Sequence, residues 1–148
     1  MTTLRRHNRL TLTVILPLLI GGLTYILFRA DSLLMFRWFD TIGLRQVIET
    51  PRQFIGHSHL PAWTIFSLPD ALWIFSFTSL MLIIWRDKFS AQSIFWLCIA
   101  PTVGLLSEIG QAFHFIRGTF DPMDLTLILI ASILPFALII KKQQTQTV

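Results

Sequence analysis

Between Glu108 and Asp124 the chain reads E-I-G-Q-A-F-H-F-I-R-G-T-F-D-P-M-D, at the junction of two strongly apolar segments. Seven side chains there are polar or charged: Glu108, Gln111, His114, Arg117, Thr119, Asp121 and Asp124. Arg117 is suited to holding a phosphate through charge-assisted, fork-like hydrogen bonds, with Arg52 as a second candidate for the same task. Glu108, Asp121 and Asp124 are suited to orienting that guanidinium or to bonding sugar and amide groups. The same three are the catalytic candidates, because paired carboxylates in a partly dry site can act as acid and base. Carboxylates this close in sequence repel one another, so at least one should be protonated or bound to a cation. No activated nucleophile accompanies them, and no cofactor is called for. His57, His59 and His114 are donors a metal could use, but an H-x-H pair is a weak signal and no metal site is assigned.

Each of these residues also has a structural reading. Asp121, followed by Pro122, fits a helix N-cap, and Asp70 beside Pro69 fits another. Arg117 can equally pair with Asp121 or Asp124 and hold a turn. His114 suits a membrane interface, and His57 and His59 suit an exposed loop. Glu108 resists such a reading. It lies seven residues before Phe115 in an otherwise apolar stretch, and a carboxylate facing lipid is rare.

The elements that must position these groups are apolar. Of the 148 residues 53% are hydrophobic and only 14% charged, and the mean hydropathy is +0.65. Soluble domains carry about 25% charged residues. The composition therefore predicts an all-α, polytopic membrane protein of one domain. Its four spans fall at about residues 10–28, 68–85, 94–115 and 123–140. The first is too long for a signal-peptide core and lacks a cleavage motif, so it reads as a retained helix. The net charge of +4 is spread over loops and ends, with no basic stripe of the kind nucleic acid requires. Cys98 sits in an apolar run and reads as a buried small hydrophobe.

Both ends of an even-numbered bundle lie on one side. That side holds Arg5, Arg6, Arg9, Arg86, Lys88, Lys141 and Lys142, and the other holds Arg29, Arg37, Arg45, Arg52 and Arg117. The bias places both termini in the cytoplasm of a plasma (inner) membrane. The loop of residues 29–67 then lies outside. Its opening, D-S-L-L-M-F-R-W-F, predicts a short interfacial helix that roofs the site, with Trp38 at headgroup depth. Gly43 should turn it, and a second amphipathic turn at Leu44, Val47 and Ile48 should stop at Pro51. The stretch from Arg52 to Trp63 reads as irregular.

Topology then gathers the polar groups. Glu108 and Gln111 share a face, as do Gln111 and His114, near the outer end of the third span. Asp121 and Asp124 open the fourth span and Asp70 opens the second. Asp70, Glu108, Gln111, Arg117, Asp121 and Asp124 should therefore converge, and together they form the candidate ligand-binding set.

These residues resemble the VanZ-like family of small membrane proteins. Its pattern is Glu and Gln three apart near the outer end of a helix, an Arg further on, and Asp-x-x-Asp opening the next helix. Glu108, Gln111, Arg117, Asp121 and Asp124 fit it, and Asp70 fits the Asp that usually opens an earlier helix. The chain departs from the family at Ile128, where an Asn followed by Gly is usual, and at Ile74, where a His is common; it would be a divergent member. The family is similar to a protein associated with teicoplanin resistance. The first reading of the residues is a cell-envelope protein with an outward-facing pocket for a lipid headgroup or lipid-linked precursor. A membrane-embedded enzyme acting on a lipid-linked substrate is the second reading. The third is an accessory subunit with another membrane protein, or a second copy of this chain, as partner.

Overall fold

The computed structural model describes residues 8–55, 60–85 and 88–144, with side chains through residue 139. Every regular element among them is a helix. In chain order these are α1 (Asn8–Phe28), α2 (Leu34–Thr41), α3 (Arg45–Ile55), α4 (Ala62–Phe66), α5 (Leu68–Trp85), α6 (Ala91–Ala112) and α7 (Pro122–Gln144). Helices α1, α5, α6 and the Pro122–Ile139 part of α7 are long and apolar enough to cross a membrane.

Helix α5 is the hub, packing against α7, α1 and α6. Half of its apolar window is buried, against 17–22% for the other three. Two apolar clusters stack along it. Ala71, Ile74, Ile128 and Ala131 form one, and Met81, Leu82, Leu97 and Ile139 the other. Small residues make the close approaches, as in helix pairs that gain little from a hydrophobic drive. A Cβ on Gly21 of α1 would lie 3.0 Å from the Trp73 indole and 3.1 Å from the Pro69 carbonyl oxygen. A Cβ on Gly104 of α6 would lie 2.9 Å from Cδ1 of Ile74. Ser79 and Thr78 of α5 are fully buried.

Prolines shape the helices without ending them. Pro17 has no N–H for the carbonyl of Thr13, and the preceding turn, Thr11–Ile15, widens to π geometry. Such a bulge is one way a helix absorbs the missing bond. In the first connection, Gly43 has φ 73° and turns α2 into α3 as its sequence predicts. Pro51 does not stop the chain: α3 continues through it to Ile55. The next residue supplies the reason. Arg52 donates to the carbonyls of Ile26 and, at 2.8 Å, Arg29 at the end of α1. It also pairs with Asp31 at 2.9 Å, and its guanidinium lies 4.5 Å over the ring of fully buried Phe36. Proline's fixed φ suits a helix, and these tertiary bonds hold the last turn in place.

Helix α6 is offset from its predicted span at both ends. It starts earlier because Ser90 caps it: Ser90 Oγ accepts from the Ser93 N–H at 3.2 Å, and Ser93 Oγ accepts from the Ser90 N–H at 2.8 Å. This reciprocal cap satisfies two donors that a helix start leaves free. The helix ends at Ala112 because His114 turns left-handed, at φ 60°. The N–H groups of Phe115 and Ile116 then both reach back to the Gly110 carbonyl, at 2.8 and 3.1 Å. The Ile116 side chain folds onto Gly110, where a Cβ would meet it at 2.7 Å. Apolar residues continue to Ile116, so composition alone overran this stop.

Candidate functional site

The hairpin that joins α6 to α7 carries most of the site. At its far side Asp121 is the N-cap of α7, with Oδ1 accepting from the Met123 N–H at 2.9 Å. Pro122 fills the first helical position, where its missing donor costs nothing. At its near side Glu108 and Gln111 occupy the last turns of α6. Gly118 closes the loop between them, with φ 146°. Its missing side chain matters, because a Cβ there would lie 2.7 Å from Cδ of Gln111. The Gln111 amide packs against the turn, and Nε2 reaches Ser107 Oγ at the long distance of 3.5 Å.

Beside the hairpin, α1 and α5 complete a cavity of about 950 Å³. Asp70, Glu108, Gln111, Arg117, Asp121 and Asp124 all line it, so the structure brings the whole predicted set together. The lower walls are apolar, with Val14, Leu18, Phe77, Leu80, Ile99 and Val103 among them. The result is a space with a charged end and a greasy body.

The charged end is poorly matched within itself. Glu108 is only 5% exposed. It lies within reach of the Asp121 backbone N–H, and close enough to Asp124, Asp121 and Asp70 to be repelled by all three. Its Oε2 atom is buried without a hydrogen-bond partner, and so is Oδ1 of Asp124. Arg117 lines the cavity but pairs with no carboxylate: ion pairs among the described residues involve Arg29, Arg45 and Arg52. Pairing of Arg117 with Asp121 or Asp124 to brace the turn is therefore not observed.

Arg29, counted in sequence only as a loop cation, belongs to the site. It lines the cavity, pairs with Asp70 at 3.9 Å and donates to the Phe66 carbonyl at 3.2 Å. Its guanidinium lies 5.0 Å from the Tyr25 ring and 5.1 Å from the Phe66 ring. The legible signal was Tyr25 one turn before an arginine at the exact end of an apolar run. Conversely, Arg52 is a brace for α3 and does not line the cavity. No residue of α2 or α3 lines it either, so the first loop's short helices do not roof the cavity, and from the chain between α1 and α5 the lining residues are Arg29 and Phe66. His114 lies in the exposed turn, off the helical face of Gln111, and is not a lining residue. Cys98 is exposed on α6, not buried.

Among the described residues, no three His, Cys, Asp or Glu side chains are grouped as a metal ion would need. His57 and His59 lie outside the described residues. No family model, curated protein or solved structure matches the chain.

Proposed function

We propose that the chain is a multi-pass protein of the plasma membrane, both termini cytoplasmic, whose cavity binds the headgroup of a lipid or lipid-linked envelope precursor. The observation that carries this reading is the cavity's division into an apolar body and a charged end in which Arg117 has no carboxylate partner. Cavities of roughly 300–1,000 Å³ with a few convergent polar groups are the usual form of a small-ligand site. Here the apolar walls suit an acyl or prenyl chain, and Arg117 with Arg29 suits a phosphate. Membrane placement is supported by four apolar helices with large aliphatic side chains exposed on α1, α6 and α7. The spacing of Asp70, Glu108, Gln111, Arg117, Asp121 and Asp124 keeps the VanZ-like resemblance as part of the proposal, and with it a role linked to teicoplanin-type antibiotic resistance.

A purely structural cluster would satisfy its own charges, and this one leaves Oε2 of Glu108 and Oδ1 of Asp124 buried without a partner and Arg117 without a carboxylate. The enzyme reading keeps one specific support. Glu108 and Asp124 offer buried, unpartnered oxygens to the same cavity, the arrangement an acid/base pair needs.

The test is to purify the wild-type chain and Arg117→Ala, match their thermal stability, and measure co-purifying envelope lipids by mass spectrometry. Loss of a charge-assisted hydrogen bond is worth about 1.5–3 kcal/mol, so retention of phosphate-bearing lipids should fall roughly tenfold or more. A folded variant that retains the same lipids in the same amounts removes the headgroup reading.

A further inference from the structure

The cavity carries more negative than positive side chains. Asp70, Glu108, Asp121 and Asp124 face Arg29 and Arg117. Asp70 and Arg29 meet at 3.9 Å, which leaves Arg117 against three carboxylates. A ligand with phosphate as its only charge would satisfy Arg117 and deepen the negative surplus. The unmet hydrogen-bonding groups have both signs. Oε2 of Glu108 and Oδ1 of Asp124 are acceptors without a donor, and Nε of Arg29 is a donor without an acceptor. Glu108 is 5% exposed, and a buried carboxylate oxygen left without a donor or a cation is costly to maintain.

Resting on the headgroup reading above, we propose that the ligand is zwitterionic, a phosphate ester carrying a primary ammonium. The ammonium lies between Glu108 and Asp124, and the phosphate lies toward Arg117 and Arg29. A primary ammonium has three N–H donors and no acceptor. Two carboxylates from different helices can therefore share it, where a divalent metal would call for a tighter group of ligands. No such group of three exists among the described residues. A trimethylated ammonium has no N–H to give these oxygens. The apolar walls place the proposed ligand among amphiphiles, and a water-soluble aminophosphate shares the same head chemistry.

The experiment is native mass spectrometry and thermal shift of the full chain in detergent. The probes are dioctanoyl phosphatidylethanolamine, dioctanoyl phosphatidylglycerol, dioctanoyl phosphatidylcholine and O-phosphoethanolamine. The ethanolamine lipid should bind roughly tenfold more tightly than the glycerol or choline lipid, the equivalent of about 1.4 kcal/mol. Glu108→Gln and Asp124→Asn should each erase that preference and improve binding of the glycerol lipid. A gain of that kind cannot come from misfolding. Wild-type protein that binds the glycerol lipid as tightly as the ethanolamine lipid overturns the ammonium and leaves the headgroup reading standing. Equal binding of the choline and ethanolamine lipids overturns it too. If none of the lipids binds, the headgroup reading falls and the ammonium with it, unless O-phosphoethanolamine binds. That result keeps the aminophosphate and removes the lipid.

Discussion

Glu108 and Gly118 set the terms of the site at the scale of single residues. Glu108 is repelled by three neighbouring carboxylates and has an oxygen with no partner. Glu108→Gln removes the charge and keeps the shape. It should raise thermal stability, by about 1 kcal/mol, while erasing the preference for the ethanolamine headgroup, the usual sign of a site held at the expense of stability. A clear loss of stability in a thermal melt would show instead that the ionised carboxylate is part of the fold's support. Gly118 makes the opposite case. At φ 146° and with Gln111 2.7 Å from a would-be Cβ, it has no room for a side chain. Gly118→Ala should cost on the order of 1–3 kcal/mol through backbone strain and should push Gln111 from the cavity wall. Chemical denaturation measures the first effect, and lipid retention in protein that remains folded measures the second.

Caps and braces decide where the elements begin and how they are held. Ser90 and Ser93 satisfy each other's N–H groups at the start of α6. Ser90→Ala should therefore cost about 1 kcal/mol and leave ligand binding unchanged, because the cap lies at the end of α6 remote from Glu108. The charged knot at the other end has a different task. Arg45 and Arg52 both stack on Phe36 and both pair with Asp31, at 3.2 and 2.9 Å. Arg52 also reaches the carbonyls at the end of α1, so one guanidinium ties α2 and α3 to the bundle. Arg52→Ala should speed amide hydrogen exchange across α2 and α3 and leave α5, α6 and α7 protected. Exchange that rises equally in all helices would mean that the knot supports the whole bundle.

The whole molecule has its charged cavity near one end and its α5–α6 connection at the other. The proposal puts the cavity end outside the cell. In a Cys98→Ser background, Thr119→Cys on the α6–α7 turn should react with an impermeant maleimide on intact cells, and Lys88→Cys should react only after lysis. The opposite pattern would invert the protein and put the site in the cytoplasm. Seven basic residues on the terminal side against five on the other favour the proposed orientation. The exposed apolar faces of α1, α6 and α7 also explain why only 17–22% of their windows is buried within the chain. In water such faces would aggregate, and the proposed placement in a bilayer would cover them.

The apolar runs determined four long helices, because about 20 such residues in a row leave few other ways to satisfy a backbone in hydrocarbon. Simple connectivity then determined that Asp70, Glu108, Gln111, Arg117, Asp121 and Asp124 share one end. Helices joined by short turns alternate in direction, whatever their packing. Asp121 with Pro122 and Gly43 were also legible, since caps and turns depend on neighbouring backbone. The sequence did not reveal that Arg29 completes the cavity, that Arg52 stands outside it, or that α3 passes through Pro51. Each of these depends on which residue of a distant helix comes within reach. Gly21 against Trp73 and Gly104 against Ile74 set the helix separations. Those separations decide which guanidinium faces the carboxylates, and no local pattern encodes a distance between helices.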